Sequence, residues 1–219
     1  MQMDDGLNEI GDSSLADETY RSLLADILSA RLAGGSVVQQ RRLATKHAVS
    51  RSPMRHALGR LEGEGLLVRN EKGVLSVRVI SLKDYLDSLT MRMLLEPTAA
   101  ALASPHASRL ELDPLTRMLD EIEADPEPDP DPEVVWAFDD ALHNYIASES
   151  RNPFMATTIG EMRRYTTIFE RQLPVVRAKP GVPEHRAILL ALAANDAEAA
   201  RRAMTDHLEV VRQGVLANY

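Results

Sequence analysis

The chain has 219 residues, 44% of them hydrophobic and 26% charged, which is long for one ordinary domain and enough for two separate cores. It contains no cysteine, which excludes disulfides, thiolate metal sites and cysteine nucleophiles; any metal must be held by His, Asp or Glu, and a reducing cytoplasm is the expected location. No stretch approaches the roughly 20 apolar residues that cross a bilayer, and the first residues lack the basic flank and apolar run of an export signal, so no membrane partner is expected.

In chain order, residues 1–15 are polar and acidic without an apolar period and predict a disordered tail. A helical period starts at Asp17 and runs through Tyr20, Leu23, Leu24, Ile27 and Leu28 until Gly34-Gly35 stops it. A second helix is predicted from about Gln39 to His47, with Leu43 and Ala44 inward. Ser50 is placed to cap a third helix over about Arg51–Glu64, with Pro53 in the first turn, where a missing N–H costs little. Gly65 ends it. Leu66-Leu67-Val68 and Val74, Ser76, Val77 and Val79 then alternate about Asn70-Glu71-Lys72-Gly73, which predicts a two-stranded hairpin.

Three helices and a hairpin over residues 16–80 make a winged helix-turn-helix, whose third helix enters the major groove of DNA. Charge supports this. The net charge is −8, yet residues 1–80 hold 11 Lys/Arg against 10 Asp/Glu, and residues 81–219 hold 14 against 23. Residues 36–61 carry Arg41, Arg42, Lys46, Arg51, Arg55 and Arg60 with no acid at all, a pattern that suits phosphate, whereas a merely solvated face mixes both signs. On helix three, Arg51 and Arg55 share a face with Ser52 beside them, opposite Ala57, Leu58 and Leu61. A winged helix used only for protein contacts is the alternative.

From Leu82 onward the pattern is nearly all helix, broken at Pro105, at the acidic proline-rich run 125–132, at Asn152-Pro153 and at residues 179–183. The predicted architecture is mainly α, with an antiparallel helical bundle over residues 81–219. Asp139 and His143 stand four apart and project from one helix face, while His185 and His207 fall on two later helices. Each histidine alone also fits a structural role. Together, three imidazoles and a carboxylate suit a divalent metal, Zn²⁺ first, with Ni²⁺, Mn²⁺ or Fe²⁺ also compatible. An octahedral field around four protein groups leaves two positions for a small carboxylate effector, and Arg92 and Arg163 are the candidate counter-charges. Arg163 reads equally as a solvated residue.

The run VSRSPMRHALGRLEGEGLLVRNEKGVLSV resembles the signature of the GntR family of bacterial regulators, usually V-S-R-T-P-V-R-E-A-L followed by E-G-L and a glycine-containing wing. The second half resembles the helical FCD effector domain of the FadR-like branch, through RMLLEPTAAALA at 92–103, DDALH at 139–143, NP at 152, EH at 184 and DHL at 206. The resemblance implies that Arg41, Ser50, Arg51, Ser52 and Arg55 contact operator DNA with Gly73 at the wing tip. It also implies that Asp139, His143, His185 and His207 bind a divalent metal, and that Arg92 lines the effector pocket. His56 in place of Glu, Gln40 in place of an acid, Pro97 and the DPEPDPDP run depart from the family pattern. The expected protein is a homodimeric regulator, a repressor, that binds double-stranded operator DNA under control of a small carboxylate. The alternatives are a metal-responsive regulator without an organic effector and a metalloenzyme; for the last, no general base is evident beside the metal set.

Overall fold

The computed structural model describes residues 5–126, 131–172 and 181–217, with side chains from Ser14 onward. The centre of the proline-rich run, residues 127–130, and Lys179-Pro180 lie outside the described residues. The chain divides into two units: residues 1–81 with 167–173, and residues 82–166 with 174–219. The closing turn of the helix over residues 153–172 therefore groups with the first unit.

In the first unit, α1 spans Asp5–Leu28, α2 Gln40–Lys46 and α3 Arg51–Gly63, followed by β1 at Leu67–Arg69 and β2 at Leu75–Val77. The expected tail is corrected here, because α1 is already helical at Asp5 rather than starting at Asp17. Adding a residue to a formed helix fixes only one residue per hydrogen bond, and no proline interrupts residues 1–28. Tyr20, Leu23 and Ile27 of α1 are buried with Leu43 and Ala44 of α2 and with Met54, Ala57, Leu58 and Leu61 of α3. These are the inward positions that the 3.6-residue period selects.

The turns follow from backbone hydrogen bonds. Gly65, at φ +73°, ends α3 in a Schellman arrangement: Leu66 N–H donates to the Leu61 carbonyl at 3.0 Å and Gly65 N–H to that of Glu62 at 3.1 Å. Ser50 stands at the N-cap of α3 with extended backbone, but its hydroxyl makes no capping bond, contrary to expectation. Instead, the start of α3 is tied to α2 by Gln40 Nε2 donating to the Arg51 carbonyl at 3.2 Å. The wing pairs Leu67 with Val77, Val68 with Ser76 and Arg69 with Leu75. At its tip, Asn70 Oδ1 accepts from the Lys72 and Val74 N–H groups, each at 3.0 Å, and Gly73 takes φ +74°, which a residue with a Cβ adopts only under strain.

The second unit is a helical bundle. It contains α4 at Leu82–Ala103, a 3-10 turn at Ser104–His106, α5 at Arg109–Ala124, α6 at Pro132–Glu149, α7 (Pro153–Gln172) as far as Thr166, α8 at Val182–Ala193 and α9 at Ala197–Leu216. The breaks predicted at the proline-rich run and at Asn152-Pro153 fall where α6 and α7 start, and Pro105 lies in the 3-10 turn that follows α4. Asp131 and Asp196 cap α6 and α9 by accepting from Glu133 N–H and Ala199 N–H, each at 2.9 Å, and Asn152 Oδ1 accepts from Met155 N–H at 3.1 Å ahead of Pro153. Pro97 does not break α4; it is buried inside the helix. α4 packs on α6 and α9, α8 on α9, and α5 on α6 and α8. Phe138, Leu142 and Ile146 of α6, Ile188 and Leu192 of α8 and Met204 and Leu208 of α9 make up much of the core that encloses the polar cluster described next.

Candidate DNA-reading face and candidate metal centre

In the first unit, Arg41, Ser50, Arg51 and Arg55 are exposed, Ser52 is half-buried and Gly73 is exposed at the wing tip. Among the described residues no acid pairs with the side chains of Arg41, Arg42, Arg51 or Arg55. Because the starts of α2 and α3 are tied through Gln40, Arg41 and Arg51 lie at neighbouring helix N-termini, where free N–H groups also favour anions. Arg55 and Gly73 line one hollow of about 350 Å³ between α3 and the wing.

Two cations of the acid-free run, Lys46 and Arg60, are exposed but paired with acids, which corrects the expectation that the whole run addresses phosphate. Lys46 Nζ lies 2.8 Å from Asp26 Oδ2, and Arg31 Nε lies 2.8 Å from Oδ1 of the same carboxylate. Burial pushes the Asp26 carboxyl up, but its bonds to Lys46 and Arg31 outweigh that and hold it below the usual range. Arg60 stacks over the Tyr20 ring at 3.7 Å and pairs with Asp17 and Glu64. Their acidic partners lie outside residues 36–61, so local composition could not reveal them.

In the second unit, the four residues expected to bind metal converge. One ligand atom from each of Asp139, His143, His185 and His207 lies within 4.8 Å of all the others, and the three histidines are buried. The i, i+4 spacing on α6 places Asp139 and His143 on one face, α8 brings His185, and α9 brings His207. The ring centroids of His185 and His207 are 4.4 Å apart, and those of His143 and His207 are 5.3 Å apart.

Glu96 was visible in the sequence only as a motif letter, yet it is the key neighbour. Its Oε2 makes a short hydrogen bond with His143 Nδ1, and its Oε1 accepts from Arg92 Nε at 2.6 Å. A proton on Nδ1 leaves the His143 Nε2 lone pair facing the cluster. That Nε2 lies 3.6 Å from Asp139 Oδ1, and His185 Nε2 lies 3.3 Å from the same oxygen. Neither has hydrogen-bond geometry, so His143 Nε2 and both ring nitrogens of His185 are buried without a hydrogen-bond partner. Orphaned imidazole nitrogens around one carboxylate oxygen fit a divalent cation. Burial, then His185 and His143, push the His207 imidazole well below its ordinary range toward the neutral form.

Arg163, 4% exposed, is not solvated. Its Nη2 donates to Asp139 Oδ2 at 2.8 Å and to Asp140 Oδ1 at 2.7 Å, while Nη1 is buried and unpaired. Burial pushes the Asp139 carboxyl up, but Arg163 and then His143 hold it well below the usual range. Arg92 is equally buried, with Nη1 donating to Thr166 Oγ1 at 3.1 Å in addition to its bond with Glu96. The i, i+4 pair Arg92 and Glu96 in an otherwise largely apolar helix, and the Asp139-Asp140 doublet, were the sequence signals for this network.

Known proteins match both units. Residues 15–77 match the profile of bacterial regulatory proteins of the gntR family, and residues 87–210 match the FCD domain. The uncharacterized HTH-type transcriptional regulator YdhC of Bacillus subtilis (strain 168) is 32% identical over 104 residues, 48% of this chain and 46% of that protein, so the alignment spans less than half of the relative. Two solved structures share the fold, each with a TM-score of 0.78 at 19% identity over 94% of this chain and 99% of the other: E. coli McbR/YncC and a putative transcriptional regulator GntR from Rhodococcus sp. RHA1.

Proposed function

The chain belongs to the GntR family of bacterial regulatory proteins and carries an FCD domain; from that premise we propose that this transcription regulator is a cytoplasmic homodimeric repressor whose operator affinity is set by a small organic acid held beside a divalent metal. The observation that carries the reading is the buried convergence of Asp139, His143, His185 and His207 with unmatched ring nitrogens. These four residues hold the metal, and Zn²⁺ suits their donor set best. When bound, the cation supplies open positions to which a carboxylate can bind.

The chain's own residues prepare that event. Glu96 fixes the His143 tautomer, and Arg163 occupies Asp139 Oδ2, which leaves Oδ1 as the single oxygen directed to the cluster. The free Nη1 of Arg163 is the donor for an incoming anion, ahead of Arg92, whose guanidinium is already engaged by Glu96 and Thr166. In the first unit, Arg51 and Arg55 read the major groove, Arg41, Ser50 and Ser52 hold phosphates, and Gly73 lets the wing approach the adjacent strand. An effector changes DNA affinity only by binding the DNA-competent and DNA-incompetent forms unequally.

A metal-responsive regulator without an organic effector is the second reading. It is favoured by the engagement of both buried arginines with acids of the protein itself. Fluorescence anisotropy with duplexes selected from a random pool by the Zn²⁺-loaded protein separates the two. The first reading expects small mono- and dicarboxylates to change the affinity of the loaded protein and to leave the metal-stripped protein unaffected. Metal-dependent affinity indifferent to every carboxylate supports the second reading, and affinity indifferent to metal and carboxylates overturns both.

A further inference from the structure

We infer that Arg69 and Glu62 form a strut that fixes the wing at a set distance from the recognition helix, so that helix and wing read DNA as one rigid piece; this rests on the reading of the first unit as a DNA-binding module. Arg69 is the last residue of β1, and Glu62 lies in the final turn of α3. Their contact is bidentate, with Arg69 Nε donating to Glu62 Oε1 at 2.7 Å and Nη2 to Oε2 at 3.1 Å. The remaining terminal nitrogen, Nη1, donates to the Gly73 carbonyl at the wing tip, at 3.1 Å. One guanidinium thus joins the recognition helix, the first strand and the tip.

Isolated surface ion pairs contribute little, but a fork-to-fork pair with a third bond constrains direction as well as distance. The strut also borders the hollow between α3 and the wing, where Arg55, Gly59 and Glu62 on one side face Gly73, Val74 and Leu75 on the other. Its engaged donors set Arg69 apart from Arg41, Arg51 and Arg55. Arg69 therefore acts on DNA through the wing, as a positioning residue, and adds no phosphate contact of its own.

Arg69→Lys keeps the charge and cannot form the fork, and Glu62→Gln removes the carboxylate while keeping the shape. Anisotropy titrations over a range of KCl, using a duplex selected from a random pool by the wild-type protein and a scrambled duplex, compare both variants with the double variant. Each single variant is expected to lose about three- to tenfold affinity for the selected duplex, with the scrambled duplex and the salt slope unchanged, and the double variant is expected to be no weaker than either. Wild-type affinity in Arg69→Lys, tighter binding in Glu62→Gln, or additive losses in the double variant would overturn the strut. Failure of the wild type to select any duplex would overturn the DNA-binding reading itself, and the strut with it.

Discussion

Glu96 offers no atom to the candidate metal, yet it decides which nitrogen of His143 is offered. Loss of such an orienting carboxylate typically costs 10- to 100-fold in metal affinity. Glu96→Gln is accordingly expected to weaken Zn²⁺ binding by about that factor in a chelator competition while the four ligand residues remain in place; unchanged affinity would mean that the imidazole is oriented by something else. A second residue-scale consequence concerns Asp26, whose folded pKa lies below its ordinary value because Lys46 and Arg31 outweigh burial. The sign follows from linkage. Its contribution to stability is complete above the ordinary aspartate pKa of about 3.9 and is lost as pH falls through the lower folded value. Asp26→Asn should therefore lower stability at pH 7 and flatten the acid limb of a urea-unfolding series, and an unchanged acid limb would contradict the pairing. At this scale the sequence was legible where partners are local, as with Asp139 and His143 four apart on one helix. It was silent where they are distant: the bond from Glu96 to His143 joins α4 to α6, and that from Arg163 to Asp139 joins α7 to α6.

Among elements, the turn between α2 and α3 holds a local cost. Ala48 adopts φ +54°, where its N–H donates to the Thr45 carbonyl at 3.2 Å and the next N–H, of Val49, donates to that of Ala44 at 3.0 Å. This closure suits glycine, since a Cβ in the left-handed region costs roughly 1–2 kcal/mol. Part of that gain is offset by the greater freedom of glycine in the unfolded chain. Ala48→Gly is expected to stabilise the protein by about 0.5–1 kcal/mol in urea unfolding, and destabilisation would show that the Ala48 methyl contributes packing that its exposure does not suggest. Helix ends marked by proline or glycine were readable in advance, as at Gly65 and Asn152-Pro153. The start of α1 was not, because continuation of an established helix through polar residues leaves no periodic signal, and the missing cap at Ser50 depends on a rotamer rather than on residue type.

For the whole molecule, the acid-free run and the histidine cluster lie in different units, so their roles should be separable by substitution. Substituting Arg51 or Arg55 by Ala should weaken binding to a selected duplex strongly and leave metal content intact, as anisotropy and elemental analysis on the same preparations would read. Equal DNA affinity across a salt titration would remove α3 from the interface. Whether the buried cluster of the second unit holds a metal is read by elemental analysis of purified protein, wild type against a His185→Ala, His207→Ala double variant. About one equivalent of a divalent transition metal per chain is expected in the wild type, and its loss in the double variant, with DNA binding by the folded variant retained. No metal in wild-type protein purified without chelators and then incubated with Zn²⁺, or full metal content in the double variant, would contradict the metal assignment and return the three histidines to a structural role in the bundle core.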